Sequence, residues 1–161
     1  MKEEKDVFDR IMSRKPLRPL LPFWDKHREV LVYLVIGGLT TLVSWAAKFL
    51  WNIGFYGGTP DPTPLQNTIL SVVENAAGIA FAYPTNRKWV FRSKNPRILA
   101  EAASFVGSRL VTMLLGWLTN LLLVNVLGVS VYVSTVIAAV LVIVGNYIIS
   151  KLLVFRKKEE S

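Results

Sequence analysis

Two stretches of the 161-residue chain decide how it folds: Tyr83-Pro-Thr-Asn-Arg-Lys-Trp-Val-Phe-Arg-Ser-Lys94 and Tyr147-Ile-Ile-Ser-Lys-Leu-Leu-Val-Phe-Arg-Lys-Lys158. They lie 64 residues apart and share a tyrosine, a basic residue, Val-Phe-Arg and a closing lysine. Each follows a long apolar stretch. Aromatic and aliphatic groups at such a place anchor a helix end at a membrane interface, and arginine sets its charge among phosphates. Any helix end leaving a membrane can look this way. The identical Val-Phe-Arg favours a tandem repeat of two hairpins with the same orientation, a pattern common in transporters.

Working outward, four apolar stretches occupy 30–51, 66–86, 102–127 and 129–150. Each reaches the ~20 residues that a helix needs to cross a ~30 Å hydrocarbon core. The first holds one charge, Lys48, the second Glu74, the third Arg109 and the fourth none. In lipid every backbone polar group must be bonded within its own segment, so these are read as helices. A β-barrel would instead show alternating segments of about ten residues. The expected fold is all-α and polytopic, with four transmembrane helices arranged as two tandem hairpins.

Charge sets the orientation. Eight basic residues precede the first stretch, five lie between the second and third, and four follow the fourth. The other two loops hold no lysine or arginine. The positive-inside rule places both termini and the 87–97 loop in the cytoplasm, in a multi-pass protein of the plasma membrane. The net charge of +8 then reads as attraction to anionic lipids, not to nucleic acid.

Residues 1–29 form a cytoplasmic segment and 30–158 the transmembrane domain. The segment is too polar for a cleaved signal peptide. Val7, Phe8, Ile11 and Met12 recur at helical spacing, which predicts a short amphipathic helix on the membrane or else a solvated basic tail. Pro16, Pro19 and Pro22 would end that helix.

Composition excludes several chemistries. The chain has no cysteine and one histidine, so thiol catalysis, zinc knuckles and multi-histidine metal sites are out. No phosphate-binding Gly-x-x-x-x-Gly-Lys loop occurs, so nucleotide use has no motif behind it. With a single carboxylate deep in the spans, an enzyme is not expected, and no cofactor is called for.

The order of features resembles the GtrA-like family of small four-helix membrane proteins. The residues that carry it are Tyr33-Leu-Val-Ile-Gly-Gly-Leu-Thr-Thr-Leu-Val43, Asn86-Arg-Lys-Trp-Val-Phe-Arg92 and Phe155-Arg156. The resemblance implies a role in moving polyprenyl-phosphate-linked sugars across the cytoplasmic membrane for later glycosylation of envelope polymers, such as polysaccharide or teichoic acid. Related helices also serve as membrane anchors of polyprenyl-phosphate sugar synthases. A non-transporting adaptor that docks a glycosyltransferase is therefore the second reading. A proton-coupled cation exporter is disfavoured, because the first stretch has Lys48 and no acid.

Taking a phosphate and a sugar through hydrocarbon is costly without polar partners. Arg109 lies about 18 Å along its helix from Arg97, and Glu74 about 19.5 Å from Arg87. The two charges are expected at one depth, facing inward and able to pair. They are either a static ion pair or a site where Arg109 exchanges Glu74 for the lipid phosphate. Lys48 is expected to snorkel to the outer headgroups. Asn75, Asn120, Asn125 and Asn146 could meet sugar hydroxyls or link helices. Asn86 could satisfy the carbonyl that Pro84 frees. Arg87, Lys88, Arg92, Lys151 and Arg156 could collect the phosphate on the cytoplasmic side, although topology alone asks for such charges. Gly37-Gly38, Ala103-xxx-Gly107 and Ser134-xxx-Ala138 are small-residue faces for close helix packing. Four helices enclose little space, so a homo-oligomer is expected, a dimer first.

Overall fold

The computed structural model describes residues 6–155, and these are helical with connecting turns and no strand. Arg156 and the lysines beyond it lie outside the described residues, as do Lys2 and Lys5. A short helix α1 (Val7–Met12) is followed by a 3-10 segment (Lys15–Leu20) and four long helices. These are α2 (Leu21–Tyr56), α3 (Pro64–Thr85), α4 (Ile98–Leu121) and α5 (Val131–Ile149). The chain divides into two compact units, Met1–Arg92 and Ser93–Ser161. In the first, α2 packs on α3; in the second, α4 packs on α5.

Local sequence explains where the helices start and stop. Asp6 caps α1 by accepting from the Phe8 and Asp9 amides, and Asp9 returns the contact to the Asp6 amide. Thr63 and Gln66 form the same reciprocal cap on α3, with Pro64 at its first position. Gly57, at φ +65°, ends α2 in the left-handed conformation that glycine adopts without steric cost. Ser130 caps α5.

The structure adds detail at three places. The helix α2 begins at Leu21, not near residue 30, because Pro22 sits in its first turn, where a missing N–H costs nothing. At 36 residues it is about 54 Å long, well beyond a ~30 Å core. Three helical stretches are long and apolar enough to cross a membrane: Leu21–Tyr56, Ile98–Val126 and Val131–Val154. The α3 helix falls short of that measure, since Gln66, Asn67, Thr68, Ser71, Glu74 and Asn75 make its first half polar. Finally, α1 docks against α2 through its acidic face, with Phe8 edge-on to Trp89 at 6.0 Å and Val7 and Ile11 left exposed.

The internal repeat is visible in the backbone. The α3 helix runs into a π-helical turn, Asn86–Val90, and α5 into another, Ser150–Val154. These turns are the same 64 residues apart as the two quoted stretches. The Phe91 amide donates to the Asn86 carbonyl at 2.9 Å, and Phe155 to Ser150 at 2.8 Å. Val90, Phe91, Val154 and Phe155 are all buried. A third π turn, Leu122–Val126, ends α4.

Close helix contact uses a glycine in each hairpin. A Cβ on Gly78 would overlap Ser44 Oγ, and one on Gly116 would stand 2.9 Å from Val142 Cγ2. The buried residues Ser134 and Ala138 line the matching face of α5. By contrast, Gly37, Gly38 and Gly107 have open space at the Cβ position. Overpacking such contacts costs typically ~1–3 kcal/mol. Gly78→Leu and Gly116→Leu are therefore expected each to lower stability by roughly that amount. Gly37→Leu should leave it unchanged; thermal unfolding in detergent checks all three.

Candidate functional site

Polar side chains in an apolar helix have two ways to be satisfied. They can bond back to their own helix, or they can cross to a neighbour. Thr41, Ser71, Asn75, Thr119 and Thr135 do the first, each donating to the carbonyl four residues earlier. The groups that cross mark where polar chemistry is concentrated.

In the second unit they form a seam along one face of α4. Its buried positions, Glu101, Phe105, Ser108, Thr112 and Gly116, follow helical spacing. At the α4 start, Ser93 Oγ donates to Glu101 Oε2 at 2.6 Å, and Glu101 is 2% exposed. Further along, Thr112 Oγ1 lies 2.6 Å from Asn146 Oδ1 of α5, its shortest contact. Ser134 Oγ of α5 donates to Asn120 Oδ1 at 2.6 Å. Between these contacts sits Arg109, half-buried, its guanidinium 4.6 Å from the centroid of the fully buried Phe105 ring. Phe105 in turn packs on Phe155 at 5.8 Å. A cation on an aromatic face is favoured, the more so when desolvated.

In the first unit, Glu74 pairs with Lys48, Oε2 to Nζ at 2.9 Å. This corrects the expected partner of Glu74 and the expected snorkelling of Lys48. The reason is the true end of α2. Counted back from Tyr56, Lys48 is about 12 Å into the helix, and Glu74 is about 15 Å into α3 from Pro64. The two meet across the antiparallel hairpin at one depth.

The remaining candidates are distributed as follows. Asn75 is exposed and bonds to Ser71 of its own helix, and Asn125 is exposed in the π turn after α4. Asn86 is 2% exposed, and its Nδ2 donates to the Ala82 carbonyl at 2.7 Å, not to the carbonyl that Pro84 leaves free. Its Oδ1 has no partner among the described residues, and neither has Ser150 Oγ at the equivalent place in the repeat. Arg87 reaches Tyr83 Oη at 3.5 Å, and Lys151 reaches Tyr147 Oη at 3.2 Å, again equivalent positions. Lys88 lies 5.5 Å from the Trp89 ring.

Arg92 belongs to a network that sequence reasoning missed. Arg92 Nη2 contacts Asp9 Oδ2 at 2.5 Å and Asp6 Oδ2 at 3.1 Å. Arg28 meets the same two carboxylates, Nε to Asp9 Oδ1 at 2.8 Å and Nη2 to Asp6. Both Arg28 amino groups also donate to the Trp89 carbonyl at 3.2 Å. Trp24 adds its indole N–H to Asp9 at 3.3 Å. Burial pushes the Asp9 carboxyl up, but the hydrogen bonds from Arg28 and Trp24 and the Arg28 charge outweigh it and hold the group below its ordinary value. Burial works against the Arg92 charge as well, and Asp6 and Asp9 overcome it, so Arg92 is held more firmly protonated. The available signal was Asp6-x-x-Asp9, a reciprocal capping pattern just before an apolar pair.

Residues 32–155 match the family model described as GtrA/DPMS, transmembrane domain. The "Cell wall teichoic acid glycosylation protein GtcA" of Listeria monocytogenes serovar 1/2a is 32% identical over 153 residues, 91% of this chain and 97% of that one. Its namesake in Listeria innocua is 31% identical over 92% of this chain and its own full length. The "Uncharacterized membrane protein YwcD" of Bacillus subtilis is 26% identical over 80% of this chain and 98% of its own. No solved structure gives a significant match.

The Asp9 network carries a pH dependence. A depressed carboxyl contributes stability that is complete above its ordinary value of 3.8 and is lost as pH falls through the lower folded value. A reporter on Val7→Cys, in a chain with no other cysteine, should show α1 docked from about pH 7 to about pH 5. Release is expected only below 3.8. In Asp9→Asn the acid transition should disappear.

Proposed function

This chain belongs to the GtrA/DPMS transmembrane-domain family, and on that premise we propose that it translocates a polyprenyl-phosphate-linked monosaccharide across the cytoplasmic membrane. The sugar would then glycosylate a cell-envelope polymer, teichoic acid being the case that the Listeria relatives name. In this reading all four long helices cross the bilayer, α3 included. Its polar side is served by the Lys48–Glu74 pair and by bonds to its own carbonyls. Both termini and the 87–97 loop face the cytoplasm, where the basic residues lie.

The observation that carries the proposal is Arg109. It is a cation inside an apolar helix, seated on an aromatic face, and Thr112–Asn146 and Asn120–Ser134 continue its side of α4. Arginine keeps its charge and presents a fork that fits phosphate oxygens. The amide and hydroxyl pairs beyond it are groups that sugar hydroxyls can engage. In this reading the protein acts as a carrier. Movement runs downhill, drawn by use of the sugar outside, or is coupled to an ion.

The test uses proteoliposomes carrying a fluorescent polyprenyl-phosphate hexose and an external quencher. Wild type should equilibrate the two leaflets faster than empty liposomes. Arg109→Gln, with folding confirmed, should slow exchange about ten- to a hundredfold, matching the loss of a charge-assisted hydrogen bond of ~1.5–3 kcal/mol. Thr41→Ala, which removes a bond to the residue's own helix, should not. Absence of exchange with folded protein overturns translocation and favours an adaptor that docks a glycosyltransferase. For topology, Lys94→Cys should react with impermeant reagent only from the cytoplasmic side and Asp61→Cys only from outside.

A further inference from the structure

We propose that Arg28 and Arg92 form a binding site for the phosphate of a lipid headgroup, and that Asp9 of α1 and its cap Asp6 occupy it as a displaceable internal ligand. The identity of the lipid, a polyprenyl phosphate, rests on the proposed function; the site itself rests on geometry.

The two guanidinium groups come from places 64 residues apart in sequence, the start of α2 and the turn after Val90-Phe91, and close on the same carboxylates. Two guanidinium groups arranged around acidic oxygens also suit a phosphate, whose oxygens accept several N–H groups at once. Arg28 does not depend on α1 for its orientation, because the Trp89 carbonyl accepts from both of its amino groups. Arg28 therefore stays aimed when the carboxylates leave.

Arg92 supplies a second observation. Its φ is +49°, and it is the one non-glycine residue at positive φ among the described residues. That conformation is sterically disfavoured for a residue with a Cβ. Backbone strain of this kind collects where a side chain must be aimed. Arg92 follows the Asn86–Val90 turn as Gly128, at φ +66°, follows Leu122–Val126, so a residue with a guanidinium holds a turn-closing place that glycine holds elsewhere.

The occupant is built to leave. The α1 helix has six residues and buries none of them, and Val7 and Ile11 stay exposed. So short a helix does not hold itself together in isolation. What fastens it is largely charge, and a phosphate competes for the same charge. Trp24 and Trp89 flank the pair, and tryptophan favours headgroup depth in a membrane.

The experiment uses the full chain in nanodiscs, with a spin label on Val7→Cys to report α1 mobility. The discs contain phosphatidylcholine alone, or with polyprenyl phosphate, or with phosphatidylglycerol at equal charge, or with inorganic phosphate in the buffer. The label should be immobile in phosphatidylcholine and become mobile with polyprenyl phosphate. Release by polyprenyl phosphate alone makes the prenyl lipid the source. Equal release by all three anions makes any phosphate a ligand and still supports the site. Asp6→Asn/Asp9→Asn should be mobile from the start and bind polyprenyl phosphate at least about tenfold more tightly, since the competent state is no longer a minor population. Arg28→Gln/Arg92→Gln should be mobile and lose that binding.

An immobile label with every probe, together with unchanged affinity in the asparagine variant, overturns the site. The wild-type arm needs no destabilising substitution, so a variant that fails to fold does not spare the proposal. Leaflet exchange with an immobile α1 removes this site and leaves translocation standing. A mobile α1 without exchange does the reverse.

Discussion

Every polar group in a lipid-facing helix must find a partner, and that constraint organises this chain. Hydroxyl and amide side chains that bond back one turn are finished locally and can point toward lipid. Thr68, Ser71, Thr119 and Thr135 are of this kind, and all are exposed or half-exposed. The groups that reach across to a neighbouring helix are gathered between paired helices. Lys48–Glu74 joins α2 to α3, and Thr112–Asn146 and Asn120–Ser134 join α4 to α5. The close helix approach at Gly78 and Gly116 brings the backbones near enough for such short side chains to meet. Packing and polar satisfaction are thus one requirement, met separately in each hairpin.

The duplication shows most clearly where the requirement is not fully met. Asn86 and Ser150 begin equivalent π turns, both are buried, and each has an oxygen with no partner among the described residues. A π turn widens the helix by one residue and is often found at functional sites. Here it carries the Val-Phe pair inward while placing Arg87 and Lys151 beside a tyrosine. The shared Tyr, basic residue and Val-Phe are therefore one structural device used twice. That explains why the sequence match is strongest at these two ends.

Most of the architecture could be read from the residues. Long apolar runs, a repeat and one-sided basic loops specify helical hairpins without knowledge of any contact. What could not be read was pairing. Glu74 was matched to Arg109 by depth, counted from helix ends that were assumed. The α2 helix runs five residues past Trp51, and that shift brings Lys48 level with Glu74. Arg28 was hidden for another reason. Topology accounts for every basic residue near a membrane, so no single one stands out until its partners are known. Glu101 was passed over because a carboxylate at a helix start reads as an ordinary favourable charge, whereas here it is buried against Ser93.

The two hairpins share a backbone plan but differ in charge. In the first, the deep cation and the deep acid neutralise one another. In the second, Arg109 rests on Phe105 and makes no ion pair with a described residue of its own hairpin. A bare guanidinium inside hydrocarbon is expensive, and an aromatic face lowers that cost without cancelling the charge. A neutral pair would suffice if the only task were to join helices, as the first hairpin demonstrates. Retaining a net positive charge in the second makes sense where an anion must come and go. On the proposed function, a fixed carboxylate there would compete with the phosphate, whereas a ring holds the guanidinium in place and leaves its N–H groups open to an anion.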